Sequence, residues 1–349
     1  MNQFQLRVTA ILTLFFSLFY SSSFAQRNYP EVRMLDSGTK TSLRGLSVVN
    51  DNIIWASGSN GMVARSNNGG KNWKWMTVTG FEKTEFRDIE AFDASTAIIM
   101  GIGDPAYILK TTDGGNSWKI VYENTTKGMF LDALDFSDPK NGVVIGDPVD
   151  GHFFMAKTTD GGDSWQPLDI NERPLADSGE AFFAASGTNL ARLYFHDLYM
   201  VSGGKESRLF INGEAYDLPI LKGKETTGAN SLTVWDEYTH NTGKHIVVVG
   251  GDFNNPDSTN MNCLISHNKG KSWQTPNVPP HGYRSCVEYL SKSNLVTCGL
   301  TGVDYSIDGG KNWKWISKTG FHTCQFAKFG TSVFLVGNNG RIAKLYWER

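Results

Sequence analysis

Charge is scarce in this 349-residue chain. Lys, Arg, Asp and Glu make up 19% of it, below the roughly 25% of an average domain. Basic residues do not outnumber acidic ones, 33 against 35, so no bulk positive field argues for nucleic acid. Cysteine is rare. Cys263, Cys286, Cys298 and Cys324 form no C-x-x-C pair, and His240 and His245 have the wrong spacing for one helical face. By spacing, therefore, no metal site is expected. The Ala/Glu/Lys/Leu heptads of a coiled coil or helical bundle are missing, and no polar tract reads as disordered. After residue 20 no apolar run is long enough to span a membrane.

What is present favours strands. There are 37 glycines, ten Trp, twelve Tyr and twenty-one Phe, a composition of strand formers and turn formers. The N-terminus is different. Arg7 precedes an apolar run from Val8 to Tyr20, and Ser23-Phe-Ala25 is a small-x-small site. Residues 1–25 read as a secretory signal peptide cut after Ala25. Residues 26–349 are then a mature chain in the periplasm or outside the cell, expected as a monomer.

One octapeptide recurs five times. The copies are Ser66-Asn-Asn-Gly-Gly-Lys-Asn-Trp73, Thr111-Thr-Asp-Gly-Gly-Asn-Ser-Trp118, Thr158-Thr-Asp-Gly-Gly-Asp-Ser-Trp165, Ser266-His-Asn-Lys-Gly-Lys-Ser-Trp273 and Ser306-Ile-Asp-Gly-Gly-Lys-Asn-Trp313. Their tryptophans are 45, 47, 108 and 40 residues apart. The long gap holds two units, with Arg208 to Gly213 standing where the eroded octapeptide belongs. One more unit follows Trp313. Seven units of about 46 residues match a propeller of four-stranded blades.

Each unit reads as four strands. Phe86–Phe92, Thr96–Met100 and Tyr107–Lys110 are the first three of one unit, and the fourth starts at the octapeptide Trp. The Ala-rich segment Glu180 to Ala185 is assigned to the first strand of unit four. At the ends, strands at 324–329, 333–336 and 341–346 need one more to fill a blade. The spare strand Glu31 to Leu35 supplies it and closes the ring.

Within the octapeptide, Asn68, Asp113, Asp160, Asn268 and Asp308 should accept backbone N–H groups of their own turn. Trp73, Trp118, Trp165, Trp273 and Trp313 should pack between neighbouring sheets. These octapeptides resemble the Asp-box, or BNR repeat, of sialidases and other propellers. Ser42-Leu-Arg-Gly-Leu46, Phe86-Arg-Asp-Ile89, Gly179-Glu-Ala-Phe-Phe-Ala-Ala-Ser-Gly187, Gly250-Gly-Asp-Phe253 and Gly282-Tyr-Arg-Ser285 carry the likeness further. Over nearly the whole mature chain it resembles bacterial relatives of the photosystem II stability and assembly factor. That resemblance implies an all-β, seven-bladed Asp-box propeller acting as a non-catalytic binding or assembly scaffold. Some bacterial relatives carry the label "oxidoreductase".

The chemical candidates are few. Gly101-Ile-Gly-Asp-Pro-Ala106 fits G-x-G-x-x-A, but Pro105 removes an amide and a strand follows instead of a helix. It reads as a turn, and no cofactor is expected. A sialidase needs an Arg triad, a Tyr–Glu nucleophile pair and an Asp acid, and the Phe/Tyr-Arg-Ile-Pro motif is missing. A glycan-acting hydrolase or lyase stays as the alternative. Cys286 and Cys298 flank a hairpin near Lys292, so either they form a disulfide or all four cysteines are buried thiols.

The propeller geometry singles out one face. First strands line the central channel, and their starts share a face with the turns between second and third strands. Arg44, Arg87, Asp88, Asp132, Glu180 and Arg284 should converge there, joined by Asp104, Asp147, Asp150, His152, Lys205, Asp252 and Asp257. The arginines are either consumed by the neighbouring acids or left free to hold a carboxylate of a protein, peptide or carbohydrate.

Overall fold

The computed structural model describes residues 29–36, 39–193, 197–235 and 243–347. The signal segment and His240 lie outside the described residues. The chain forms seven antiparallel sheets arranged as the blades of a propeller. Blade 1 runs Leu43–Val48, Ile54–Gly58, Met62–Ser66, Lys74–Thr77, and blade 2 runs Phe86–Ala91, Ala97–Gly101, Ala106–Thr111, Lys119–Asn124. The same up-and-down order repeats around the ring. The only described helices are two single 3-10 turns, Ile170–Glu172 and Asn338–Gly340, and none is long and apolar enough to cross a membrane.

Blade 7 closes the ring as the sequence suggests. It takes Thr323–Phe326, Val333–Val336 and Ile342–Tyr346 from the C-terminus and Glu31–Asp36 from the N-terminus. Glu31 pairs with Tyr346 and Arg33 with Lys344. Pairing both ends leaves no free edge on the last C-terminal strand.

The second strands are nearly all apolar. Ala97–Gly101 and Ile54–Gly58 are buried at every position, because each is sandwiched between adjoining sheets. The core of the described residues falls into seven clusters, each shared by two neighbouring blades. Octapeptide tryptophans belong to these seams: Trp118 meets Trp55 of blade 1 edge-on at 6.4 Å, and Trp165 and Trp313 are almost fully buried.

The eroded unit lies where expected. Arg208–Ile211 turns into Glu214–Asp217 through Asn212-Gly213, both at positive φ. A two-residue Asn-Gly hairpin replaces the octapeptide.

Glu180 to Ala185 is not the first strand of blade 4; Leu190–Arg192 is. Glu180–Ala181 instead pairs with Gly203–Gly204, which extends the sheet of blade 5. The chain then passes over the channel mouth and into the channel. Phe182 stacks near Phe153, with centroids 4.1 Å apart, and Phe183 meets Phe253 at 5.8 Å. The small residues Ser186, Gly187 and Thr188 follow inside. At Gly187, with φ +72°, a Cβ would lie 2.4 Å from the Asp88 carboxyl carbon, so only glycine fits this approach. A strand assignment failed because burial of Phe182, packing of Phe183 on Phe253 and passage down a narrow channel outweighed local pattern.

Candidate functional site

The octapeptide acids are committed to their own turns. Asp113 Oδ1 accepts Asn116 N–H at 2.9 Å and Ser117 N–H at 3.0 Å, and Oδ2 accepts the Ser117 hydroxyl at 2.7 Å. Thr111 closes the loop, donating to Asp113 and accepting Gly115 N–H. Asp160 repeats the pattern. Asn68, Asn268 and Asp308 accept the equivalent backbone N–H. Hydrogen bonds from Ser117 and Ser164 lead in holding Asp113 and Asp160 down at about 2. A carboxyl that stays ionised to such low pH has no proton to give, so these groups are turn staples and not general acids.

The opposite face carries a pocket of about 430 Å³ at the channel mouth. Its position follows from one backbone device. In blades 1, 2 and 3 the second residue of the inner strand interrupts the register, at Arg44, Arg87 and Asp132, and in the longer inner strand of blade 5 the fourth residue, Asn230, does the same. Such a bulge leaves one residue unpaired and re-aims its side chain. Aligning blades on the glycine that ends the second strand puts Ser285 and His322 at the same place, one step after Arg284 and Phe321 beside Gly299 and Gly337. Arg44, Arg87, Asn230, Ser285 and His322 all line the pocket.

Arg44 is half-buried. Its guanidinium donates to the Ala185 carbonyl at 3.3 Å, and among the described residues it has no ion-pair partner. Burial, then the nearby Arg87, lowers its pKa. Arg87 grips Glu85 Oε2 from Nε and Nη2 at 2.9 and 2.6 Å and sits over the Phe130 ring. His322 is pushed down to about 4 by burial first and the Arg44 charge next. It is neutral near pH 7 and bonded to Asn338 Oδ1 at 2.8 Å. Phe182, Phe183, Phe253 and Tyr283 form apolar walls. Tyr283 donates to Asn230 Oδ1 at 2.7 Å, and burial raises its pKa. A phenol held neutral and bonded to an amide is not the Tyr–Glu nucleophile that sialidase chemistry needs.

Of the residues expected at the mouth, Arg44, Arg87 and Asp147 line it. Burial raises Asp147 to about 6 against the Phe182 N–H bond. Asp132 lies fully buried behind it, raised by burial and by Asp147. Arg284 does not reach the mouth. It stands where Leu43, Phe86 and Leu131 stand in other blades, wholly buried and paired with Asp304. One residue of register separates the core position from the mouth position. Asp88 faces a second cavity of about 220 Å³ deeper in the channel. Glu180 is taken up by Arg208 and Ser202. Asp252 accepts the Thr226 hydroxyl and the Asn254 N–H, and Asp104 caps Gly128 N–H at 3.4 Å. Asp150, His152, Lys205 and Asp257 are outside the lining; His152 Nδ1 sits 3.2 Å from the Asp150 carbonyl in a hairpin end. Gly101 to Ala106 forms a strand–turn–strand, with no helix for pyrophosphate.

Of the two cysteine readings, the structure has the buried thiols and not the Cys286–Cys298 disulfide. Cys286 and Cys298 do sit opposite each other in the hairpin, but all four cysteines are buried free thiols. The sulfur facing Cys286 at 3.6 Å is that of Cys324, in the next blade. That separation is well beyond the roughly 2.05 Å of a disulfide.

No family model matches the sequence, and no curated protein does. Solved structures do. YCF48 bound to D1 peptide is similar at 17% identity over 90% of this chain and 97% of that one, with a TM-score of 0.64. YCF48 from Cyanidioschyzon merolae gives the same identity and TM-score over 99% of its length. The WD40 propeller domain of Doa1 follows at 13% identity, 92% and 98% coverage and TM-score 0.63. At these identities the likeness establishes the propeller fold.

Proposed function

We propose that this chain is an exported, non-catalytic Asp-box propeller of the YCF48 kind, a scaffold that holds a peptide segment at its channel mouth. The observation that carries the reading is Arg44: a half-buried cation with no ion-pair partner among the described residues, in a pocket walled by aromatic rings. Such a group is stabilised by an incoming carboxylate, and a planar guanidinium grips one in fixed geometry. The aromatic walls suit an adjoining apolar side chain. The YCF48 structure with a bound D1 peptide supports a peptide as the ligand of a propeller of this fold.

The mature chain, immobilised and exposed to envelope extract from its own source, should retain a partner at low salt and release it as salt rises. Arg44→Gln should stay folded and lose the partner. A folded Arg44→Gln protein with undiminished retention would remove the mouth as the site. Export is tested separately: the chain recovered from the envelope should begin at Gln26.

A further inference from the structure

Three cysteines, two from one hairpin of blade 6 and one from blade 7, meet in the seam between those blades. Cys286 lies on Cys286–Tyr289, Cys298 on Leu295–Gly299 and Cys324 on Thr323–Phe326. Their Sγ atoms all fall within 4.8 Å of one another. Each side chain is fully buried. A metal–thiolate bond of about 2.3 Å puts the corners of a trigonal set about 4 Å apart, so the sulfurs already stand near that spacing.

The Cys286 thiol donates to the Cys324 carbonyl at 3.2 Å, a contact that metal binding would replace, and two donors face its sulfur. Cys324 N–H donates to Cys286 Sγ at 3.3 Å, and the Thr323 hydroxyl points at the same atom from 3.6 Å. Outer-shell donors of this kind orient thiolate ligands and offset their charge. No further His, Cys, Asp or Glu among the described residues joins the group at that distance. Zinc would want a fourth ligand in a tetrahedron. Three soft ligands without a fourth instead match a monovalent d10 ion.

We propose that Cys286, Cys298 and Cys324 form a three-coordinate thiolate site for Cu(I). Each ligating cysteine releases its thiol proton to solvent as the sulfur binds, and the oxidation state of the ion does not change. The site is sealed beneath Val296, Val303, Phe321 and Leu335, so the ion enters while the blades assemble. Blade 7 is the one completed by the N-terminal strand. Cu(I) held across its seam with blade 6 is a staple beside the point of ring closure.

The test uses the mature chain refolded without oxygen in Cu(I) buffered by a chromogenic chelator. One ion per chain should be retained, with sulfur-to-metal absorption in the near ultraviolet and three sulfur neighbours in the X-ray absorption spectrum. Cys263→Ala, a buried thiol outside the group, should behave identically. Cys324→Ala should fail to hold the ion against the same chelator. If Cys324→Ala does not refold, the sulfur count of the wild-type chain decides. Absence of retained copper, a shell with two sulfurs or with nitrogen, or retention by folded Cys324→Ala overturns the site. So does a Cys286–Cys324 disulfide, seen as a loss of two hydrogens in the mass of the chain as purified in air.

Discussion

Arg284 Nε donates to Asp304 Oδ2 at 2.8 Å, Nη2 reaches the same oxygen, and both side chains are wholly shielded from solvent. His281 closes the other side of the carboxylate, with Nδ1 2.7 Å from Oδ1. This is a satisfied buried pair at a position where sister blades carry Leu or Phe. Breaking such a pair by removing one partner strands a buried charge and costs roughly 3–5 kcal/mol. Arg284→Gln should therefore lower stability by about that amount in denaturant titration. Arg44→Gln and Arg87→Gln, at the mouth, should each change it far less. Equal losses from all three would contradict the division between core and mouth arginines.

The octapeptide residues separate in the same way. Trp165 is almost fully buried in the seam of blades 2 and 3. Trp165→Ala should cost about 3–5 kcal/mol, as for other large core aromatics. Trp118 is partly exposed and should cost less. Asp113→Ala removes bonds from an exposed turn and should lower the melting temperature by only a few degrees. Loss of partner binding in a stable Asp113→Ala protein would show that this turn does more than hold its strands.

Ring closure rests on Glu31–Asp36 pairing with Ile342–Tyr346. A chain lacking residues 29–36 exposes that edge and uncovers part of the core around Leu345. Its melting temperature should fall by many degrees, and it should associate more readily through the open strand. An unchanged melting curve would mean that closure contributes nothing to stability.

Stability should also depend on pH in a definite direction. Burial raises Asp88 to about 8, against N–H bonds from Leu134 and Ile89, and raises Asp147 to about 6. The unfolded values lie near 4. The folded state therefore holds more protons, and stability falls as pH climbs from about 4 to about 8. His322, lowered to about 4, acts oppositely, costing stability as pH drops below about 6.5. The melting temperature should be higher at pH 6 than at pH 8, and Asp88→Asn should flatten the difference. A wild-type melting temperature that rises from pH 6 to pH 8 would sink this account.

Much of this molecule was legible in the chain itself. The octapeptide encodes its own turn within eight residues, since the side chains of Thr111, Asp113 and Ser117 find their hydrogen-bond partners inside it. A local device repeated at blade spacing is enough to read seven sheets, and unpaired strands at both ends are enough to read the closure. The tertiary structure alone decided three matters. Arg284 and Arg44 look equivalent in sequence, yet a one-residue difference in register sends one to the core and the other to the mouth, because successive residues of a strand face opposite sides. Ser186-Gly187 marks a turn, but the path of Phe182 to Thr188 over and into the channel is set by contacts with Phe153, Phe253 and Asp88 from other blades. Cys286 and Cys324 are 38 residues apart with no motif between them. Their sulfurs meet because inner strands of adjacent blades converge toward the axis, and that convergence belongs to the ring and not to any segment of it.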